Sequence, residues 1–312
     1  IQDHKGSLII SNPKNGEILS MYSFPDFDLT SFAGPISHDE WKKLNNNVNS
    51  VFINRSIQST YPPGSIFKLI LSAIVLDKNI ITKDWKVNCK GDYQFFDTVF
   101  HCWKEDGHGI INLNQAIQQS CNIYYYNLIQ KMDLNLWSEE VQNFGFGKYT
   151  GIDLTSEKKG LVPNKKIMDQ LYKDRGGWSK GHLLNLSIGQ GETLVTPLQI
   201  SNLMNFISNE GFAFTPHLKK NIKVDKHSIG YNKNVWKFIK KSMSDAVYGN
   251  GGTAYNARVS NVDVKVYGKT GTVQVCSDCE ILPHAWFGGF IELPNDKRYS
   301  ISIIIENGGK GS

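Results

Sequence analysis

Gly6–Ser23, GSLIISNPKNGEILSMYS, reads as two short strands joined by a turn. Gly6 to Ser11 and Glu17 to Tyr22 carry the apolar residues, and Asn12-Pro13-Lys14-Asn15-Gly16 between them supplies residues that reverse a chain. Three further β-rich runs, residues 262–275, 284–293 and 298–306, stand at the other end of the chain. Between them the pattern is largely helical. Residues 65–76, 113–132, 138–144, 196–208 and 234–247 repeat apolar side chains at helical spacing, with Gly145 ending the third and Pro197 in the first turn of the fourth. Residues 24–60 are polar and aperiodic and read as loop; residues 85–111 hold Trp, Cys, His and Gly without periodicity. A sheet assembled from both termini, with a helical lobe inserted between them, is the economical α+β topology. Leu8-Ile9-Ile10 and Ile303-Ile304-Ile305 are apolar on both faces, which predicts helices over both sides of that sheet. Because these strands lie so near the ends of the sequence, part of a covering layer is expected to belong to a longer protein.

The composition narrows the class. A chain of 312 residues, 40% of them hydrophobic, can bury a substantial core, and one domain or two lobes sharing a core is the expectation for residues 1–312. Its formal charge is only +5, and no run mixes Lys and Arg with aromatics, so nucleic acid is not an expected partner. No apolar stretch reaches the roughly 18 residues needed to span a bilayer. The longest, Leu69 to Leu76, is closed by Asp77 and Lys78. The sequence opens on Ile1 without a signal peptide, and is expected to be an excised or processed piece.

Three short patterns carry chemistry. Ser65-Ile66-Phe67-Lys68 is an S-x-x-K at the start of a predicted helix, where residues i and i+3 share a face. The Lys68 amine then lies beside the Ser65 hydroxyl and, unprotonated, can take its proton during attack. The helix N-terminus favours negative charge developing on Ser65 and opposes protonated Lys68, and burial pushes the amine the same way. Ser11/Lys14 and Ser156/Lys159 match the pattern too, but only Ser65 follows a chain-stopping Pro62-Pro63-Gly64 and precedes an apolar helix. Alone, the motif is as well explained by a helix-starting serine with a chance lysine. Ser120-Cys121-Asn122 is the only S-x-N: a hydroxyl and an amide that face one cleft if the backbone turns between them, or an ordinary pair inside a helix. Lys269-Thr270-Gly271-Thr272 occurs once, in a strand-like run, where Gly271 permits close approach of a ligand and the cation and hydroxyls suit a terminal carboxylate. It could equally be an edge-strand lysine. In this order, about 55 and then about 150 residues apart, the three form the signature of serine β-lactamases and penicillin-binding proteins.

On these residues the chain resembles the class B, monofunctional penicillin-binding proteins, and most of all the penicillin-binding protein 2 group of rod-shape elongation. The resemblance covers nearly the whole chain. Gly6–Ser23 is similar to the opening hairpin of that transpeptidase domain, and Tyr61–Lys68 (YPPGSIFK) to its nucleophile segment. Gly107-His108-Gly109, Gly151-Ile152-Asp153-Leu154, Ile188-Gly189-Gln190-Gly191 and His284–Phe290 (HAWFGGF) resemble its other landmarks. The resemblance implies the penicillin-binding protein/serine β-lactamase fold, with an antiparallel five-stranded sheet from both termini. It implies that Ser65 attacks the penultimate D-Ala carbonyl of a peptidoglycan stem peptide and releases the last D-Ala, and that β-lactams acylate the same serine. Lys68 is then the base, Ser120 and Lys269 assist proton transfer, and Asn122 orients the substrate amide. Thr270 and Thr272, around Gly271, receive the terminal carboxylate, and the backbone N–H groups of Ser65 and Thr272 form the oxyanion hole. Full-length relatives add an N-terminal membrane helix, a pedestal domain and a C-terminal covering helix, absent from residues 1–312. The implied location is the periplasmic face of the bacterial inner membrane, and the implied partners are a membrane glycosyltransferase and the elongation machinery.

Five cysteines cannot all pair. Cys89, Cys102, His108 and Cys121, with twelve, five and twelve residues between them, offer three thiolates and an imidazole, enough for a closed tetrahedral zinc site; a Cys89–Cys102 disulfide is the alternative. The resemblance favours zinc, because relatives of this group hold a zinc ion with the His of Gly-His-Gly and the central residue of S-x-N, positions that match His108 and Cys121. Cys102 fits a third ligand and Cys89 completes the set. An ion there braces the Ser120–Asn122 turn without touching substrate and is therefore structural. Cys276-Ser277-Asp278-Cys279 reads as a loop disulfide or free thiols.

Three other functions compete. Gly177-Trp178-Ser179-Lys180-Gly181 matches the nucleophile elbow of esterases, but Lys173-Asp174-Arg175-Gly176 is no apolar strand leading into it. A serine β-lactamase shares all three motifs and differs in turning β-lactams over. A non-catalytic β-lactam sensor or scaffold shares the fold, but has no need of intact Ser65, Lys68 and Lys269.

Overall fold

The terminal hairpin forms where its sequence places it. In the computed structural model, which describes residues 4–275 and 280–311, β1 (Lys5–Ser11) and β2 (Ile18–Phe24) pair antiparallel, Gly6 against Phe24 and Ile10 against Ser20. The chain continues through α1 (His38–Asn45), α2 (Arg55–Gln58), a 3-10 turn over Gly64–Ile66, and α3 (Phe67–Asp77). Four short strands follow: β3 (Val87–Cys89), β4 (Asp92–Phe95), β5 (Thr98–His101) and β6 (Gly109–Ile111). Next come α4 (Leu113–Gln118), α5 (Asn122–Ile129), α6 (Leu134–Asn143), α7 (Lys165–Leu171), α8 (Lys180–Ser187) and α9 (Pro197–Ser208). A small hairpin, β7 (Phe212–Phe214) with β8 (Lys226–Ser228), precedes α10 (Lys233–Tyr248), and β9 (Lys265–Val273), β10 (His284–Glu292) and β11 (Arg298–Glu306) complete the order.

The five long strands form one antiparallel sheet in the order β2-β1-β11-β10-β9. Both termini therefore build it, and everything between β2 and β9 is the inserted lobe. β9, which carries Lys269–Thr272, is an edge strand, with one backbone edge outside the pairing of the sheet. One face of the sheet is lined by small side chains. Ser7, Ser11, Ser300 and Ser302 are fully buried, and Ser11 Oγ lies 3.1 Å from Ser201 Oγ and donates to Asn205 Oδ1 at 3.1 Å, so α9 packs closely against β1 and β11. Ile9 and Ile304 share that face and are fully buried. Leu8, Ile10, Ile301, Ile303 and Ile305 on the other face are half-buried, so among the described residues the expected covering is complete on one face only.

α3 runs through the lobe's core, with every side chain from Phe67 to Val75 buried. Each large apolar side chain so placed contributes about 1.5–3 kcal/mol relative to exposure. This explains why a helix with no side-chain cap hydrogen bond holds: its neighbours fix it on all sides. Among the described residues no helix is long and apolar enough to cross a membrane.

Several boundaries differ from the sequence reading. Residues 24–60, read as loop, hold α1 and α2; α1 buries none of its residues, so no apolar period announces it, and it rests on the Ser37 cap, whose hydroxyl accepts from Glu40 N. The aperiodic 85–111 stretch is two two-stranded sheets, β3 with β6 and β4 with β5, too short to show alternation. The helix expected from 138 begins at Leu134, because Asp133 accepts from Asn135 N and Leu136 N. α7 and α8, capped by Asn164 and Ser179, form in a stretch where the sequence shows no helical apolar repeat. The helix read from Ser65 opens as the 3-10 turn and becomes α-helical only at Phe67. The continuous 113–132 helix is two helices broken at Ser120. The Cys276-Ser277-Asp278-Cys279 segment lies outside the described residues.

Candidate active site

The Ser65 turn is wedged between a strand and a loop by glycines. Gly64 adopts φ +55°, and its N–H donates to Gly189 O at 2.8 Å. A Cβ on Gly64 would fall 2.7 Å from Val273 Cγ2, and one on Gly189 2.3 Å from Gly64 O. Only backbone without side chains lets the Ile188–Gly191 turn, the serine turn and β9 meet. Gly271 on β9 has the same use, since a Cβ there would lie 3.0 Å from Trp286 Cβ and 3.4 Å from Pro63 O. Trp286 Nε1 fixes the other side by donating to Pro62 O at 3.1 Å. Ser65 itself is half-buried at this junction.

One turn on, Lys68 is fully buried. Its Nζ donates to Ser120 O at 2.8 Å and to Asn122 Oδ1 at 2.8 Å, and lies 3.4 Å from Ser120 Oγ. Burial lowers its pKa to about 8, against a smaller upward pull from Cys121 and Cys102. Lys269 is also fully buried; its Nζ donates to Ser120 Oγ at 2.9 Å and to Thr270 O at 3.0 Å. Burial, and then the neighbouring Lys68 charge, hold its amine well below the ordinary lysine value. The Ser120 hydroxyl thus stands between two amines that burial drives toward neutrality. A neutral amine both donates and accepts, so the three groups can pass a proton.

The break between α4 and α5 is what turns Ser120 inward. Ser120 has φ +55°, and Cys121 N donates back to Ala116 O at 3.1 Å, closing α4 before α5 starts at Asn122. Asn122 accepts from Lys68, and its Nδ2 donates to His101 O at 3.3 Å, tying the turn to β5. Thr270 is 7% exposed, and Thr272 lies at the surface with its hydroxyl accepting from Gly311 N at 3.2 Å. Lys68, Ser120, Asn122, Lys269 and the Ser65 turn therefore belong to one site, with Thr270, Gly271 and Thr272 along its strand wall.

Behind the turn lie the four metal-ligand candidates. The donor atoms of Cys89, Cys102, His108 and Cys121 are all within 4.8 Å of one another. His108 Nδ1 is 3.4 Å from Cys89 Sγ and 3.5 Å from Cys102 Sγ, and Cys102 Sγ is 4.0 Å from Cys121 Sγ. All three thiols are free, so the Cys89–Cys102 disulfide does not form. Hydrogen bonding with Cys121 lowers Cys89 to about 6 and Cys102 further still, while Cys121, sharing those bonds, is driven up. Three soft donors and an imidazole converging on one buried point, mostly isolated from water, fit a tetrahedral thiophilic cation.

The rival motifs sit elsewhere. Ser179 is an exposed helix cap, bonded to Gly181 N, and no strand leads into it. Lys14 pairs with Asp296, and Ser156 and Lys159 are exposed. One residue of the site went unread in the sequence: Thr253, whose Oγ1 accepts from Thr270 Oγ1 at 3.1 Å. Its signal is the Gly249–Gly252 run that brings it in.

Comparison with known proteins follows the same lines. The family model for the penicillin binding protein transpeptidase domain matches residues 6–312. Peptidoglycan D,D-transpeptidase MrdA of Acinetobacter baumannii is similar at 31% identity over 335 aligned positions, covering 98% of this chain and 48% of that protein. The complex between penicillin-binding protein 2 and MreC from Helicobacter pylori contains a chain similar at TM-score 0.89 and 31% identity, covering 98% of this chain and 57% of that one. A peptidoglycan synthase complex, solved for its coordination of polymerization and crosslinking, is similar at TM-score 0.87 and 29% identity, over 98% of this chain and 53% of that one. The chain spans about half the length of the curated relatives it matches.

Proposed function

The chain belongs to the penicillin-binding protein transpeptidase domain family, and from that premise we propose that it is a serine peptidoglycan D,D-transpeptidase acting through an acyl-enzyme at Ser65. The observation that carries the reading is the hydrogen-bonded chain Lys68–Ser120–Lys269, which joins the three motifs through one hydroxyl.

The chemistry runs as follows. Neutral Lys68 takes the Ser65 proton as Oγ attacks the penultimate D-Ala carbonyl of a stem peptide. The oxyanion is received by the backbone N–H groups of Ser65 and Thr272, donors that strengthen as charge develops. Asn122 holds the substrate amide, and Thr270 and Thr272 receive the terminal carboxylate. Collapse expels D-Ala, whose amine receives, through the Ser120 hydroxyl, the proton that Lys68 took from Ser65, while Lys269 holds that hydroxyl in place. The amine of a second stem then attacks the ester carbonyl, giving a proton to neutral Lys68, and Ser65 Oγ leaves and takes that proton back; water in place of the amine gives carboxypeptidase activity. β-Lactams acylate Ser65 by the same route.

Cys89, Cys102, His108 and Cys121 would hold a structural zinc ion, which supplies a crosslink behind the Ser120–Asn122 turn. The relatives' complexes with MreC and within a synthase support partners in the elongation machinery, including a membrane glycosyltransferase. They fit a location on the periplasmic face of the bacterial inner membrane.

Intact-mass spectrometry after benzylpenicillin tests the reading. One penicilloyl adduct, mapped to the Ser65 peptide and lost in Ser65→Ala, is expected; labelling at another serine, or none, overturns it. With a chromogenic β-lactam the expected trace is a stoichiometric burst, whereas sustained rapid turnover identifies a β-lactamase.

A further inference from the structure

Between α10 and β9 the chain passes through Gly249-Asn250-Gly251-Gly252-Thr253-Ala254. The glycines seat this loop hard against the end of α10. A Cβ on Gly252 would lie 2.3 Å from Ala246 O, and one on Gly249 2.6 Å from Asp245 O and 2.7 Å from Gln118 Nε2. Gln118 ends α4, two residues before Ser120, and its Nε2 donates to Asn250 O at 2.6 Å. Thr253 answers it: both its N–H, at 3.2 Å, and its hydroxyl, at 3.4 Å, donate to Gln118 O. The same hydroxyl accepts from Thr270 on β9 at 3.1 Å. One threonine therefore links the strand bearing Lys269 to the helix leading into Ser120.

Counting hydroxyl protons gives Thr253 a more specific task. Each threonine has one O–H. With the Thr253 proton on Gln118 O, the Thr270 proton points at Thr253, and Thr270 offers the cleft only lone pairs. A carboxylate needs the opposite polarity. If the Thr253 proton turns to the Thr270 oxygen, the Thr270 proton is freed toward the cleft. Gln118 O loses only its longer bond, keeping the N–H of Thr253. No proton is transferred; two hydroxyls rotate. From this geometry we infer that Thr253 is a positioning residue, whose hydroxyl directs the Thr270 proton toward the carboxylate of the acyl donor. The inference rests on the acyl-transfer reading above and assigns a specificity element to the same site.

The test compares acylation of Ser65 by benzylpenicillin and by its methyl ester, which masks the carboxylate. Second-order rate constants are measured for the unmodified chain and for Thr253→Val, Thr253→Ala and Thr253→Ser. Removing the Thr253 hydroxyl leaves Thr270 its own proton but takes away the donor that orients and polarises it, which is expected to cost about fivefold. Thr253→Val should therefore lower the acid rate by about that factor more than it lowers the ester rate, while Thr253→Ser restores the ratio to within about twofold. Thr253→Ala is read in the same way should the valine variant fail to fold. An unchanged ratio in the variants lacking the hydroxyl, or equal losses for acid and ester, overturns the assignment. Failure of the unmodified chain to form any adduct at Ser65 sinks the acyl-transfer reading and this inference with it; normal acylation with an unchanged ratio sinks this inference alone.

Discussion

Substituting Gly189 by alanine isolates how the nucleophile turn is held. Gly189 has φ +70°, and its missing Cβ would sit 2.3 Å from Gly64 O, 2.7 Å from Phe67 Cβ and 2.9 Å from Gly64 N. Two costs separate cleanly. The left-handed backbone alone costs an alanine about 1 kcal/mol. The collision is the larger part. Normal carbon–oxygen contact is near 3.3 Å, so the Gly64 peptide must withdraw by about 1 Å, and its bond to Gly189 O breaks or lengthens. Overpacking of this kind adds about 1–3 kcal/mol. Ser65 is the next residue, and a 1 Å misplacement of a reacting group lowers rates by about a hundredfold. Gly145→Ala is the control: Gly145 has φ +86° and nothing within 4 Å of its Cβ position, so it carries the backbone cost without the collision. At this chain length 1 kcal/mol moves Tm by about 2 °C. The expectation is a loss of about 2 °C with unchanged acylation for Gly145→Ala, and about 4–8 °C with acylation slowed about a hundredfold for Gly189→Ala. Stopped-flow acylation by a chromogenic β-lactam and a thermal melt measure both. Equal acylation rates in the two variants would refute the claim that the Gly189 contact positions Ser65.

Three other outcomes are expected. Acylation should rise with pH and level off above about 8, because burial lowers Lys68 to about 8 and only its neutral form accepts the Ser65 proton; rates that fall over that range in a pH series exclude Lys68 as base. Ser120→Ala, which removes the hydroxyl between the two amines, should slow acylation by about a hundredfold or more and lower Tm by about 2–4 °C, since a buried lysine loses a partner, and stopped-flow rates within threefold of the unmodified chain's would count against a proton path there. Purified protein should hold about one equivalent of zinc by elemental analysis, and Cys102→Ser should lose the metal and about 3 kcal/mol of stability; retention of the full equivalent by the serine variant removes Cys102 from the ligand set.

The parts of this molecule that the sequence makes legible are those where local preference and fold agree. Ile303–Ile305 and the Asn12–Gly16 turn announce strands and reversal because pleated, buried backbone selects such residues, and Thr196 with Pro197 announces α9 because a cap and a fixed φ start a helix. α1 escaped notice because it buries nothing, and the short strands around Cys89 and Cys102 because three or four residues cannot display a period. The break at Ser120 was hidden for a different reason. Nothing in residues 113–132 punctuates the apolar repeat: there is no glycine or proline, and helical spacing runs through it. The left-handed conformation costs a serine about 1–2 kcal/mol, which local sequence cannot offset. What offsets it comes from far along the chain: Lys68 holds the Ser120 carbonyl at 2.8 Å, Lys269 the hydroxyl at 2.9 Å, and Thr253 the carbonyl of Gln118. The same bonds that support the strain aim the hydroxyl between the two amines. The residue whose conformation is least legible locally is therefore the one on which the motifs converge, since only the assembled site can sustain that conformation.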